Sequence, residues 1–209
     1  MLDKTLLGYL SILGEVGEDA DPGMVSQDAN DSGGWSYGLY QFASAPGSVQ
    51  AFVAWLQTQG ISYGAVLADA GDPGSNQGFV ETWQQIAAND PAGFGKLQDD
   101  YAKSVYYDAG SAELQNKYGF DIGQRSFVLS QVLMSNCVQH GPEYGAEAFG
   151  DGAASIGQQL GSMADAAIVT ALYNNKINDP SWSSGDPADR QGLFDRWANE
   201  RDTALALLG

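Results

Sequence analysis

Hydrophobic residues recur at the helical period along most of the chain. Leu2, Leu6, Leu10 and Leu13 are spaced three or four residues apart, a pattern that predicts an amphipathic helix over residues 2–14. Similar patterns predict further helices, separated by glycine- and proline-rich loops. These helices are indicated at residues 49–56 with an end before Gly60, at 79–86, at 94–105 after an Asp90-Pro91 cap, at 127–138, at 162–173 and at 188–208.

A different pattern follows the first predicted helix. Over residues 35–40, Trp35, Tyr37 and Leu39 alternate with Ser36, Gly38 and Tyr40. Alternation with a period of two predicts a short strand or hairpin. Its aromatic rings and hydroxyl groups are suited to stacking on sugar faces and to hydrogen bonds with sugar hydroxyls. We therefore predict a mainly α-helical chain with a small β element.

The composition is that of a folded protein. The chain has 209 residues, of which 44% are hydrophobic, enough to bury a sizeable core. It contains no repeat or long linker, so we predict a single domain over residues 1–209. We also expect the protein to be a monomer. No apolar run approaches the length needed to span a membrane. Polar residues interrupt the first apolar stretch, so we interpret it as mature sequence without a signal peptide.

The charge narrows the possible ligands. With 26 acidic and nine basic side chains the formal net charge is −17, which argues against a nucleic-acid ligand. An acidic surface would attract a cationic polymer such as chitosan. It would equally suit a saline environment, in which charges are screened over a Debye length of about 8 Å or less.

Two carboxyl groups are candidates for acid–base chemistry. Glu15 falls at the end of the first predicted helix, just before Gly17, where the helix dipole does not favour a negative charge. Asp31 lies among Asn30, Ser32 and Ser36, where hydrogen bonds and water should keep it ionised. Glycosidases use such a pair, one carboxyl as proton donor to the leaving oxygen and the other as base or nucleophile. We predict Glu15 and Asp31 as the catalytic residues.

Other chemistries are less well supported, and no metal or cofactor is expected. The segment from Asp28 resembles a calcium-binding loop, but Leu39 occupies the twelfth position, where a bidentate Glu is required.

Cys137 and His140 stand three residues apart on a predicted helix. Residues so placed rarely present nucleophile and base to one substrate, and a buried Cys is commonly a small hydrophobe. We predict that His140 has a structural, hydrogen-bonding role near the cleft, and that Gln139 is also structural there.

The motifs together resemble the lysozyme-like domains of phage lysins and of the spike-linked effectors of type VI secretion systems, which are relatives of the chitosanases. The first and most specific motif is Glu15-x-Gly17, then Pro22-Gly23-x-x-Ser26, then Asp31-x-Gly33-Gly34-x-Ser36-Tyr37-Gly38-x-Tyr40-Gln41. A second is Val138-Gln139-His140-Gly141. A weaker third consists of Leu172-Tyr173, Arg196, Glu200-Arg201 and Ala204-Leu205. The resemblance spans nearly the whole chain.

The resemblance implies a two-lobed lysozyme-like fold with a small β element beside the cleft. It implies Glu15 as general acid and Asp31 as its partner, about 6.5–9.5 Å apart if the enzyme inverts. The substrate would be bound by residues of the first motif, namely Gly33, Gly34, Ser36, Tyr37, Tyr40 and Gln41.

We expect the substrate to be bacterial peptidoglycan, because the motifs are closer to those of the phage and effector muramidases. Chitosan hydrolysis, a lytic transglycosylase and an inactive sugar-binding or tail-structural module are the alternatives. The protein would be made in the cytoplasm and would reach the cell wall through a holin, a phage tail or a secretion system. Its partners would then be that machinery and, for an effector, an immunity protein.

Overall fold

The computed structural model describes residues 2–27, 34–183 and 187–209. These residues are mostly helical and include one small antiparallel sheet, which confirms the predicted fold class. The described α-helices are α1 Tyr9–Val16, α2 Ser48–Thr58, α3 Ser62–Asp69, α4 Gln77–Asn89, α5 Pro91–Ala102, α6 Asp108–Tyr118, α7 Phe127–His140, α8 Pro142–Ser155, α9 Asp165–Asn178 and α10 Pro187–Leu208. A π-helical turn, Lys103–Tyr107, joins α5 to α6.

The sheet has three strands in the order of the chain, β1 Val25–Gln27, β2 Trp35–Tyr37 and β3 Phe42–Ala43. Val25 lies opposite Tyr37 in the first antiparallel pair, and Tyr37 lies opposite Phe42 in the second. The short strand or hairpin predicted from residues 35–40 is therefore a hairpin, in which residues 38–41 form the turn between β2 and β3.

The chain forms two compact units. Unit 1 comprises residues 15–102 with Leu2, and unit 2 comprises residues 3–14 and 103–209. The single domain over residues 1–209 stays a prediction. None of the helices in the described ranges is both long enough and apolar enough to cross a membrane.

Unit 1 is built around aromatic rings contributed by β2, β3, α2, α4 and α5. Trp83 is fully buried, and its ring centre lies 4.8 Å from that of Phe94 and 5.2 Å from that of Tyr37. Phe52 packs in the same cluster against Phe42. The predicted cap is present as well, since Asp90 accepts a hydrogen bond from the backbone N–H of Gly93 at the start of α5.

Unit 2 is organised around α7, which is buried along most of its length. Helices α8, α9 and α10 pack around it and on one another. Two glycines allow the close approach of α8. A Cβ at Gly145 would lie 2.7 Å from the backbone N of Cys137, and one at Gly152 would lie 2.7 Å from Cα of Leu172.

The predicted start of the first helix was wrong, since α1 begins at Tyr9 and not at Leu2. Two contacts explain the difference. The Asp3 carboxylate accepts hydrogen bonds from the backbone N–H and the hydroxyl of Thr5, which closes a local turn. The Gln131 side chain of α7 then donates to the carbonyl oxygens of Lys4 and Leu6, the groups that a longer helix would use for its own bonds.

Candidate functional site

Glu15 is the penultimate residue of α1 and is partly exposed. Gly17 follows with a φ of 80°, a left-handed conformation that ends helices and that glycine adopts without strain. The predicted position of Glu15 at a helix C-terminus is confirmed. Its catalytic role stays a prediction.

A groove of about 610 Å³ lies within unit 2, between α1 and α10. Its side chains offer carboxylate, guanidinium, amide and hydroxyl groups beside two leucines, of which Leu13 is partly exposed and Leu10 is buried. The lining residues are Leu10, Leu13, Gly14, Gly192, Asp195, Arg196, Asn199, Glu200 and Thr203. Gly14 is followed directly in the chain by Glu15. An amphipathic groove with several convergent polar groups is typical of a ligand site.

A chain of buried hydrogen bonds fixes Glu200 in this groove. Glu200 is only 7% exposed, and its carboxylate accepts a 2.7 Å hydrogen bond from the Tyr173 hydroxyl. Burial and the charge of Glu200 raise the pKa of Tyr173 well above its usual range, so the hydroxyl stays a donor. Asn136 bonds to the same hydroxyl and accepts a 2.7 Å bond from Lys176.

Gln139, from the second motif, belongs to the same network. Its side-chain oxygen accepts hydrogen bonds from Lys176 Nζ at 3.0 Å and from Trp197 Nε1 at 2.8 Å. Lys176 Nζ lies 4.4 Å from the centre of the Trp197 ring. Burial lowers the pKa of Lys176 to about 7 against the opposing effect of Glu200, with Arg196 also lowering it. Gln139 thus links two buried side chains, which favours a structural role.

His140 sits between two indole rings. Its ring centre lies 5.4 Å from that of Trp182 and 6.1 Å from that of Trp197. Burial, with the positive charges of Lys176 and Arg196, lowers the pKa of His140 to about 3. Its Nε2 is buried and has no hydrogen-bond partner within the described ranges. The packing of a neutral imidazole against two indole rings favours a structural role, but within the described ranges Nε2 does not make the hydrogen bond that the prediction included.

Cys137 is fully buried under α8. Burial raises the pKa of its thiol to about 12, and a thiol that holds its proton at neutral pH is a poor nucleophile. This agrees with the interpretation of Cys137 as a small core residue and argues against the thiol–imidazole pair.

The hairpin tyrosines lie inside unit 1. Tyr37 is fully buried and its hydroxyl donates to the carbonyl of Pro73 at 2.6 Å. Tyr40 is 4% exposed and donates to the Asp99 carboxylate at 2.8 Å. Ser36 is buried as well. For the two tyrosines, burial with a satisfied hydroxyl favours a structural role over contact with a substrate.

Gln41 and Gly34 shape the backbone of the same element. Gln41 has a φ of 48°, and left-handed conformations of residues other than glycine concentrate at functional sites. Its side chain donates to the carbonyl of Gly38 and accepts a hydrogen bond from Ser26 of β1. Gly34 has a φ of 73°, and a Cβ there would lie 2.6 Å from Ser44 Oγ. Both residues hold the hairpin in shape.

Asp31 and Gly33 lie outside the described residues, as do Asp28, Asn30 and Ser32 of the calcium-like segment. The separation of the Glu15 and Asp31 carboxyl groups therefore stays a prediction. Within the described ranges no cluster of three or more His, Cys, Asp or Glu side chains is arranged to hold a metal ion.

Sequence reasoning missed Gln98, a fully buried side chain of α5. Its carbonyl oxygen accepts from the backbone N–H of Leu39 at 2.8 Å, and its amide donates to the carbonyl of Pro22 at 3.0 Å. It thereby fastens the Pro-Gly motif segment to the hairpin turn. The feature of the sequence that could have indicated its burial is the position of this amide beside the apolar residues Leu97 and Tyr101.

The fold is that of the GH46 chitosanases. The native chitosanase of Bacillus subtilis MY002 matches with a TM-score of 0.59 and 20% identity, over 97% of this chain and 86% of that chain. The Gynuella sunshinyii GH46 chitosanase, in complex with chitotetraose, matches with a TM-score of 0.61 and 16% identity over the same shares. At such identities the likeness establishes the lysozyme-like fold alone.

Comparison of the sequence assigns the chain to a narrower family than the fold does. Residues 7–201 match the family described as "Type VI secretion system spike protein VgrG3-like, C-terminal", so the chain belongs to this family. It is also 28% identical over 171 residues to the type VI secretion system spike protein VgrG3 of Vibrio cholerae. That match covers 78% of this chain but only 16% of the spike protein. The predicted resemblance to the spike-linked domains of type VI secretion systems is confirmed, and the predicted likeness to chitosanases is confirmed at the level of the fold.

Proposed function

We propose that the chain is a glycoside hydrolase that cleaves the glycan backbone of bacterial peptidoglycan. Glu15 acts as general acid, and Asp31 acts as the base that activates water or as a charge stabiliser. The observation that carries the proposal is the α1–α10 groove, whose lining includes Gly14, the residue before Glu15 in the chain. Membership of the spike-protein family supports a target in the cell wall.

The groove supplies groups that suit a glycan. Asp195, Asn199 and Thr203 offer acceptors and donors for sugar hydroxyls. Leu13, which is partly exposed, offers an apolar contact for the C–H face of a ring. Glu200, held by Tyr173 at 2.7 Å, is a fixed acceptor in the same groove. Groups held in place in this way need no reorganisation when a substrate binds.

The first motif would supply the catalytic carboxyl groups and further contacts to the sugar. Glu15 would protonate the glycosidic oxygen as the bond to the anomeric carbon breaks, and Asp31 would take a proton from the attacking water. Such an inverting reaction yields a product with a free reducing end. Gly33, Gly34, Ser36 and Gln41 would contact the sugar through backbone and polar groups.

Secretion-system delivery is part of the proposal and is supported by membership of the family. The chain would act in the periplasm after delivery with a spike complex, and the producing cell would protect itself with an immunity protein. A catalytically inactive, structural module of the spike is the alternative from another class, and it predicts no release of sugars from any glycan.

Chitosan is the alternative substrate, favoured by two observations. The net charge of −17 would attract a cationic polymer, and the structural neighbours are chitosanases, one of them in complex with chitotetraose. Mass spectrometry of products separates the possibilities. Peptidoglycan fragments with free N-acetylmuramic reducing ends support the proposal, anhydro-muropeptides indicate a lytic transglycosylase, and glucosamine oligomers from chitosan alone indicate a chitosanase.

The first test of the mechanism is Glu15→Gln, which removes the acidic proton and keeps the shape of the side chain. We expect hydrolysis to fall by a factor of about 10² to 10⁴, the contribution of general acid catalysis. The reducing ends released from purified cell walls and from chitosan give the measurement. Glu18→Gln, an exposed position three residues along the chain, is the matched control. Turnover of Glu15→Gln close to that of the parent would refute the assignment.

A further inference from the structure

A second groove lies within unit 1, between α3 and α4. It has a volume of about 600 Å³ and is lined by Ser62, Tyr63, Val66, Gly78, Glu81, Thr82, Gln85, Ile86 and Asn89. None of these residues belongs to α1, to the sheet or to the three sequence motifs. The groove is therefore made of residues other than the candidate catalytic and substrate-binding residues.

An aromatic side chain at the groove is held in a fixed orientation. The hydroxyl of Tyr63 donates to the Asp90 carboxylate at 3.0 Å. Its ring stands edge-on to Phe94, at 5.9 Å and 87°. Phe94 is fully buried in the aromatic core. Tyr63 thus presents a ring whose orientation needs no further ordering when a ligand binds.

Polar groups of α4 remain available beside this ring. The Gln85 amide donates to the side-chain oxygen of Asn89 at 3.1 Å, which orients both amides and leaves the Gln85 carbonyl and the Asn89 NH₂ for a ligand. The Glu81 carboxylate is exposed and has no hydrogen-bond or ion-pair partner in the part of the chain that the structure describes. These side chains follow one another along one face of the helix.

Apolar groups complete the groove. Val66 is 49% exposed, and Ile86, which is 7% exposed, lies in the same lining. A saccharide has hydroxyls on its rim and C–H groups on its ring faces, so it fits a surface that pairs amides and a carboxylate with an aromatic and an aliphatic patch.

The charge of the groove lining restricts the kinds of saccharide that can bind there. Glu81 is the single charged residue in the lining, and the lining contains no Lys or Arg. An anionic ligand would find no counter-charge there, whereas a neutral or cationic amino sugar would meet a carboxylate and several neutral acceptors.

We propose that the α3–α4 groove binds a short segment of an amino-sugar glycan and so retains the enzyme on the polymer that it cleaves. This inference rests on the proposed function, because the ligand is a part of the proposed substrate. The uncharged N-acetylated rings of peptidoglycan strands and the amino-sugar units of chitosan both have this chemistry, because the carboxylates of peptidoglycan lie on substituents and not on the ring faces.

The test compares two neutral double variants on the same helix, both in the Glu15→Gln background to prevent turnover. Gln85→Ala/Asn89→Ala removes the groove amides. Gln77→Ala/Gln84→Ala is the matched control, since both glutamines are exposed on α4 but lie outside the lining. Retention is measured by depletion from suspensions of purified sacculi and of insoluble chitosan, and thermal melting establishes that each variant is folded.

We expect the groove variant to be retained at least fivefold more weakly than the control on one polymer, and that polymer identifies the source of the ligand. When the groove variant is made in protein that keeps Glu15, its cleavage of a soluble tetrasaccharide of the same polymer should differ from that of the parent by less than twofold. Equal retention of both variants, or no retention of the parent on either polymer, overturns the inference. Failure of the proposed function is a separate result, in which the parent releases no reducing ends from either polymer.

Discussion

The cores of the two units differ in chemistry. In unit 1 aromatic rings from five elements meet around Trp83 and Phe52. In unit 2 the central helices enclose a connected set of polar side chains, among them Asn136, Lys176 and Glu200. Aromatic burial is nearly non-directional, whereas a buried charge is tolerated only while each of its partners is in place.

The comparison shows what each core can contribute to function. The aromatic core gives unit 1 a rigid platform for the hairpin of the first motif, since Tyr37 and Phe42 are members of the cluster. The polar core of unit 2 ends on Glu200, which lines the candidate glycan groove. In unit 2, therefore, the same hydrogen bonds that hold the core also orient a side chain of the site.

The largest expected effect tests the aromatic core. Trp83→Ala removes a fully buried indole and its 2.9 Å hydrogen bond to the carbonyl of Pro22. We expect the free energy of unfolding to fall by about 3–5 kcal/mol, measured by urea denaturation. Trp55→Ala is the control, because Trp55 packs on Phe52 at the partly exposed edge of the cluster. Equal losses for both variants would contradict a core centred on Trp83.

The second prediction concerns a directional contact of unit 2. The Asp165 carboxylate at the start of α9 accepts hydrogen bonds from Arg125 Nε at 2.8 Å and from the backbone N–H of Ser126 at 2.9 Å. Burial alone would raise the pKa of Asp165, but these bonds outweigh it and lower the pKa. We expect Asp165→Asn to lower the free energy of unfolding by about 2 kcal/mol.

The control for this second prediction is Asp202→Asn, at an ion pair with Arg201 whose carboxylate side chain is 66% exposed. The control should cost less than about 0.5 kcal/mol in the same urea titration. Similar losses at both positions would show that burial does not strengthen the Asp165 contact.

How much of this architecture the sequence could predict depends on whether local or distant contacts decide each element. Helices α2, α4, α5 and α7 follow apolar spacing, and spacing predicted them. The start of α1 depends on Gln131, more than 120 residues away along the chain. Helix α8 was not among the predicted helices because it contains three internal glycines, which weaken helical propensity but permit its close contacts with α7 and α9.

The candidate site shows the same division. The position of Glu15 could be predicted, because a helix end is a local feature. The orientation of Tyr37 and Tyr40 could not, because alternation does not distinguish a ring that faces a ligand from one that packs inward with its hydroxyl satisfied. The α1–α10 and α3–α4 grooves each combine residues from separate elements, and no spacing rule identifies such a surface.

The third prediction concerns His140 in unit 2. Burial, with the charges of Lys176 and Arg196, lowers the pKa of this residue to about 3. The unfolded state takes up this proton near pH 6.5 and the folded state only near pH 3. The residue's contribution to stability is therefore complete above pH 6.5 and declines as the pH falls through this window. Since the ring is partly exposed, we expect a loss of about 1 kcal/mol between pH 7 and pH 5. His140→Phe should remove this part of the acid sensitivity in thermal melts recorded across that range.

The smallest expected effect comes from an exposed ion pair of unit 1. Lys96 Nζ lies 2.6 Å from the Asp100 carboxylate one turn along α5, and the two side chains are 72% and 46% exposed. Water competes for both charges, and holding two long side chains in one geometry costs entropy, so an exposed pair of this kind contributes little. We expect Lys96→Ala to change the free energy of unfolding by less than about 0.5 kcal/mol, and 0.5 M salt to reduce that difference further in urea titrations. A loss as large as that of Asp165→Asn would mean that α5 depends on surface charge, and it would remove the contrast between a unit held by buried rings and one held by buried polar contacts.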